Sequence, residues 1–429
     1  MARQMKDSGI EWIGEIPVDW SMKRVKHIFT RKNEKVMQEN PTILSLARDG
    51  VKVRDISNNE GQIAESYYNY NPVEKGDLLL NPMDLYSGAN CSISKVQGVI
   101  SPAYINLRAN AGINPTFYDY YFKVQYWLMV FFSYGKGVSY DNRWTLSAET
   151  LMNYPVVALS YEEQCKRANY LDRKCAQIDA IISKQQQIIE KLKEYKLSVI
   201  TEAVTKGLDP NVPMKDSGID FIGSIPETWR ICRLRNIGTL QNGISKGGEF
   251  FGHGFPFVSY GDVYRNFSLP VQVAGLIDSS DEERRNYSVE SGDIFFTRTS
   301  ETIEEVGFSS VCEETIPDAT FAGFLIRVRP FTDDLVPKFA KYYFRSNHHR
   351  YYLVKQMNLV TRASLGQDLL KSMPVLVPPK DEQISIAAYL DKKCGAIESS
   401  IEYKQRVIER LIAYKKSLIY EVVTGKKEV

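Results

Sequence analysis

The sequence predicts an α/β (α+β) protein in which two globular domains alternate with two long helices that pair as an antiparallel coiled coil. Three observations predict this: a direct repeat, two heptad runs, and short apolar runs that follow turn residues.

The repeat comes first because it organises the rest. MKDSGIEWIGEIPVDW begins at Met5 and MKDSGIDFIGSIPETW at Met214. A second box, EEQCKRANYLDRKC, begins at Glu162 and returns as DEQISIAAYLDKKC at Asp381. The spacing of the boxes differs by about ten residues between copies, and loops absorb such differences. Weaker echoes lie between the boxes. NPVEKGDLLL, ending at Leu80, matches YSVESGDIFF, ending at Phe296, and both read as a turn followed by a buried strand. The stretches opening at Pro115 and Pro337 both read as helices with proline at the start. Residues 1–160 and 214–379 are therefore the two globular domains, and 161–213 and 380–429 the two helical spacers. The ends of the unit stay alike while the middles diverge. That pattern suits two equivalent docking sites and two different ligands; faster drift in loop-rich domains would give it too.

From Glu162 to Thr205 there is no proline or glycine. Leu171, Ile178, Ile182, Ile189 and Leu192 recur at heptad spacing, as do Leu390, Ile397, Ile401, Ile408 and Leu411 in the second copy. Polar residues enter the seam at matched places: Gln185 and Lys404, then Lys196 and Lys415. Gly207 and Gly425 end the two runs.

Composition excludes several classes. With 54 Lys and Arg and a net charge of only +2, this is no bulk polybasic binder, so any nucleic-acid contact must come from local patches. The 26 tyrosines suit a recognition surface or large aromatic cores. Six scattered cysteines with no CxxC pair and only four histidines give a zinc site little to be built from, and read as reduced, cytosolic thiols. No apolar run is long enough to span a bilayer. There is no GxxxxGK[ST], no glycine-rich fingerprint after a strand, and no acidic pair of defensible general acid–base spacing, so no catalytic residue and no metal ligand is nominated.

The boxes in this order, used twice, resemble the specificity subunit (HsdS) of type I restriction–modification systems, over essentially the full chain. The resemblance implies two target-recognition domains, each reading one half of a split sequence in double-stranded DNA. It implies that the paired helices space those domains and dock two modification (methyltransferase) subunits, with restriction (translocase–nuclease) subunits able to join. It implies a non-catalytic, cytoplasmic host-defence subunit that carries no cofactor, S-adenosylmethionine, ATP and Mg residing on the partners. The alternatives are a coiled-coil scaffold that binds only protein, the specificity subunit of a related restriction–methylation complex, and a self-contained methyltransferase or nuclease.

Candidate DNA contacts come from loops rich in side chains that read base edges or phosphates. In the first domain these are Arg48, Lys52, Tyr86, Ser87, Lys136, Ser139, Tyr140, Asn142 and Arg143, with Gly135 and Gly137 permitting close backbone approach. In the second they are Arg298 and Thr299, Thr361 and Arg362, and a loop holding Tyr260, Asp262, Tyr264 and Arg265. His348 and His349, between Arg345 and Arg350, read as a basic, phosphate-facing helix surface.

Overall fold

The computed structural model describes residues 3–35, 41–47, 49–55, 66–83, 85, 90–137, 144–300, 306–356 and 363–429. The chain divides into two units, Met1–Gln185 with Arg406–Val429, and Gln186–Gln405. Each unit holds one globular region, the half of one long helix that adjoins it, and the far half of the other.

The same topology is built in both. A short antiparallel hairpin opens each globular region, Met5–Asp7 with Glu15–Pro17 and Met214–Asp216 with Ser224–Pro226. A four-stranded antiparallel sheet follows. In the first unit its order is Phe29–Lys32, Ile105–Ala109, Leu78–Leu80, Cys91–Ile93; in the second it is Gly238–Asn242, Leu325–Pro330, Ile294–Thr297, Ser309–Val311. The central strands Leu78–Leu80 and Ile294–Thr297 are buried at every residue, so their continuous apolar runs reflect a strand covered on both faces. Helices Pro115–Trp127 and Pro337–Tyr343 cover one face, each with proline in its first turn. Much of the tyrosine excess lies here: Tyr118, Tyr121, Tyr126, Tyr154 and Tyr343 are all buried core. The second unit carries a further core around Phe257, Phe295 and Phe321. Its counterpart around Leu44, Val73 and Leu79 is smaller.

The long helices are Tyr161–Lys206 and Lys380–Val423. They run antiparallel within each unit. In the first, Asp179 meets Lys415 at 2.7 Å and Arg167 bonds the carbonyl of Val422. In the second, Lys196 meets Glu398, and Val199 and Ala203 share a core with Leu390 and Ala387. The matched seam lysines thus each bridge to an acid on the opposing helix. Leu171, Ile178, Ile189, Leu390, Ile397 and Ile408 are buried, while Ile182, Leu192, Ile401 and Leu411 are half-buried. The two fully buried seam leucines, Leu171 and Leu390, each belong to a globular core. Among the described residues no helix is long and apolar enough to cross a membrane.

Candidate nucleic-acid interface

In both units one device sets where the central strand begins. The turn Glu290–Asp293 has Gly292 at φ +92°, and Asp293, 1% exposed, accepts from the Glu290 amide at 2.8 Å. Arg329 from the neighbouring strand closes on Asp293 at 2.7 Å. Asp77, Gly76 (φ +91°) and Arg108 repeat this in the first unit. A buried carboxylate so satisfied is anchored, and the strand behind it delivers its last residues to a fixed place.

In the second unit that place gathers three of the predicted stretches. Arg298 and Thr299 leave the strand. The Arg298 carbonyl accepts from Leu365 N at 2.7 Å, and Thr299 pairs with Ser364. Strand Phe251–Val258 arrives alongside, and Val258 O accepts from Ala322 N at 3.1 Å. The chain after it is not the loop expected from sequence but a short helix, Tyr260–Arg265, because Ser259 and Asp262 form a capping box. Asp262 is engaged there, accepting from Ser259 N at 2.8 Å. Tyr260 stacks on Tyr264 with centroids 5.9 Å apart, and Arg265 is exposed. Tyr264 in turn meets Phe308 edge-on, whose amide donates to Thr297 Oγ1 at 2.9 Å. The turn Ala322–Leu325 and Ser245 complete the cluster, and sequence reasoning missed both. Its only cue was a glycine between two strands.

Arg345 corrects a second expectation. It does not belong to a basic helix surface: it is 9% exposed and lies between the rings of Phe267 and Phe308. Its guanidinium donates to the carbonyls of Val263 (2.7 Å), Tyr264 (3.0 Å), Asn266 (2.8 Å) and Ser309. Three of those lie at the C-terminal end of helix Tyr260–Arg265, where a cation is favoured. Burial, with Arg350 nearby, pulls its pKa down to about 10, still a cation at neutral pH. Arg345 therefore holds the tyrosine-bearing helix in place.

His349 also points inward. It is 3% exposed against Tyr343 and Phe344, and burial pulls its pKa from 6.5 down to about 3. His348 is lowered too, by burial and by Lys206. A base whose folded pKa is depressed takes up protons more readily when unfolded, so its stabilising contribution is complete above about pH 6.5 and is lost as pH falls toward 3. Between pH 7 and pH 5 the His349 contribution should fall by about 2 kcal/mol. Urea titrations at the two pH values check this. His349→Phe should flatten the slope, and an unaltered slope would show that other groups carry it.

In the first unit, the flanks of two predicted stretches meet. Leu146 N donates to Pro82 O at 2.8 Å, the counterpart of the Leu365–Arg298 bond, and Lys136 bridges Thr145. Gly135 does permit a close approach, but to Trp144: a Cβ there would sit 2.5 Å from the indole nitrogen. Lys52 is exposed in the hairpin Leu44–Ala47/Gly50–Val53 and pairs with Asp49. Arg48, Tyr86, Ser87, Ser139, Tyr140, Asn142, Arg143, Thr361 and Arg362 lie outside the described residues.

The repeated boxes form sockets between each globular region and its helix. Gln164, 1% exposed, accepts from Asn114 N at 2.8 Å, and Gln383, fully buried, accepts from Val336 N at 2.8 Å. Tyr120 donates to Asp172 and Tyr342 to Asp391, at 2.8 and 2.7 Å. Much of the likeness between copies is thus used inside the chain, a reason for it beyond the external docking that sequence suggested. Among the described residues no group of three or more His, Cys, Asp or Glu is placed to hold a metal ion.

Comparison with known proteins agrees with this architecture. Residues 226–408 match the type I restriction modification DNA specificity domain. The type I restriction enzyme EcoKI specificity subunit of Escherichia coli K12 is 26% identical over 259 residues, covering 56% of this chain and 50% of that protein. The StySPI specificity subunit of Salmonella potsdam is 23% identical over 316 residues, covering 72% and 62%. The chain thus spans between half and two thirds of the length of these relatives. A solved chain from a type I restriction–modification system, described for its complex assembly and conformational transition, superposes with a TM-score of 0.72 at 15% identity, covering 96% of this chain and 99% of that one. The HsdS subunit of Thermoanaerobacter tengcongensis gives 0.53 at 15% identity, covering 96% and 98%. Residues 226–408 thus carry a type I restriction modification DNA specificity domain, and the chain as a whole is similar to type I specificity subunits in sequence and shares the fold of the solved chains.

Proposed function

We propose that the chain reads an interrupted, two-part sequence in double-stranded DNA, one half per globular region, and docks two methyltransferase subunits, with restriction subunits able to join. It performs no chemistry itself; S-adenosylmethionine, ATP and Mg act on the partners, in the cytoplasm. One observation carries the reading: the two units share a framework and sockets, yet differ in the side chains gathered at the end of the central strand. At matched places one unit has Pro82 and Met83 where the other has Arg298 and Thr299, and the second unit adds the stacked Tyr260 and Tyr264. A shared frame with unlike faces suits two unlike half-sites. Exposed Tyr195 and Tyr414, at matched places on the two long helices, offer equivalent contacts to two copies of one partner.

The test is mapping of methylated bases in a host with and without the chain, paired with assays of the purified chain. A split adenine-methylation motif should vanish without it, and the chain alone should neither methylate, cleave nor hydrolyse ATP. Turnover by the chain alone would overturn the reading. Retention of protein partners but of no duplex from a random library would favour a scaffold instead.

A further inference from the structure

We infer that Phe324 is a target-contacting residue of the second unit, its ring stacking on an exposed base or wedging a base step of duplex DNA; this rests on the DNA-reading function proposed above. A lone exposed phenylalanine carries no message in itself. Three observations about this one do.

It is 63% exposed, yet its backbone is held on every side. Leu325 N closes the turn on Ala322 O at 2.9 Å, Gly323 N donates to Ile244 O at 2.7 Å, Ala322 N to Val258 O at 3.1 Å, and Arg298 N to Phe324 O at 2.9 Å. Gly323 sits so close to Ser245 that a Cβ would lie 2.2 Å from its hydroxyl. A ring on so fixed a turn loses little backbone freedom when it binds. Second, the residue that donates to its carbonyl is Arg298, and Val258 O, which receives the turn's first amide, immediately precedes the cap of helix Tyr260–Arg265. The turn that carries the ring is therefore bonded to the segments that bear Arg298, Tyr260 and Tyr264, side chains suited to phosphates and base edges. Third, the matched turn of the first unit lacks it. Leu80 pairs with Ile105 where Phe296 pairs with Ile326, so Ala103, also exposed, stands where Phe324 stands. A residue needed for folding the frame would recur; one needed for a particular half-site need not. Aromatic rings stack on any base face, and phenylalanine is a recurrent wedge at base steps.

The experiment uses the chain assembled with its methyltransferase subunits, the mapped target duplex, and duplexes altered at one base pair in either half. Phe324→Ala should keep the melting temperature, since the ring is mostly in solvent, and weaken binding to the target at least about five-fold. The penalty for base changes in the second half-site should shrink while that for the first stays unchanged. Phe324→Trp should restore binding to within about two-fold. If wild-type complex discriminates but Phe324→Ala binds and discriminates alike, or tryptophan restores nothing, the inference fails alone. If wild-type complex binds all duplexes equally, the reading beneath it fails as well.

Discussion

Replacing residues 17–160 with the matching segment of a relative is expected to rewrite one half of the methylated sequence and leave the other half as it was. The graft takes the first sheet, its covering helix and the stretches around Pro82 and Lys136, but leaves all of the opening hairpin except Pro17, and both long helices. The graft must match the apolar core that this region shares with Ala168, Leu171, Cys175 and Ile178, and two hydrogen bonds besides. The incoming helix has to present a backbone amide to Gln164 and a tyrosine to Asp172, as Asn114 and Tyr120 do at 2.8 Å each. The second unit makes the same two bonds with a different domain, through Val336 and Tyr342. Each altered base pair in a site costs about 1–3 kcal/mol, so a few in one half should move preference by orders of magnitude. Base-resolved methylation maps of the exchanged and parent complexes decide it. Change in both halves, or in neither, would end the two-reader account.

Glu163→Ala is expected to be among the most destabilising single changes in the first unit, by about 3–5 kcal/mol. Arg167 is fully buried, stacked over Trp20 at 4.8 Å, and bonded to Glu163 at 2.7 Å and to the carbonyls of Val422 and Lys427. Without Glu163 a buried cation keeps only neutral partners. Arg167→Ile should cost far less, because the second unit already contains that solution. There the matched residue is Ile386, and Glu382 instead accepts from Trp229 Nε1 at 2.9 Å. Among the described residues Trp20 Nε1 has no hydrogen-bond partner, so a Glu163 released from Arg167 can take up the same bond. Denaturant unfolding of the two variants checks the order; equal losses would show that the ion pair, not the stranded charge, matters.

Elements with a period of their own were legible in the sequence. The heptads marked both long helices and the seam lysines that bridge them, and the EKGD and ESGD turns marked the buried strands. What brings the site together was not legible. Arg298 meets Phe324 and Leu365 through backbone amides, which every residue type owns, so no side-chain pattern announces the pairing. Asp262 looked like a DNA-contacting loop residue because a capping box and a contact loop share a composition. His349 and Arg345 looked like parts of a basic, phosphate-facing helix surface because charge in a sequence carries no burial. Phe324 was passed over for the opposite reason: apolar residues are assumed to be inside until a turn is shown to hold one out.

The sockets have a consequence for how such a chain changes over time. Gln164, Asp172, Gln383 and Asp391 sit in stretches that the two copies largely share and that adjoin each globular region. Genetic exchange begins most readily where sequences are alike. Crossovers in the boxes would therefore cut at the mechanical joints, delivering an intact reader to an intact mount. The bonds that hold a reader in place are thus encoded in the same stretches where recombination would remove it, and new targets could arise by reassortment without first passing through an unfolded intermediate.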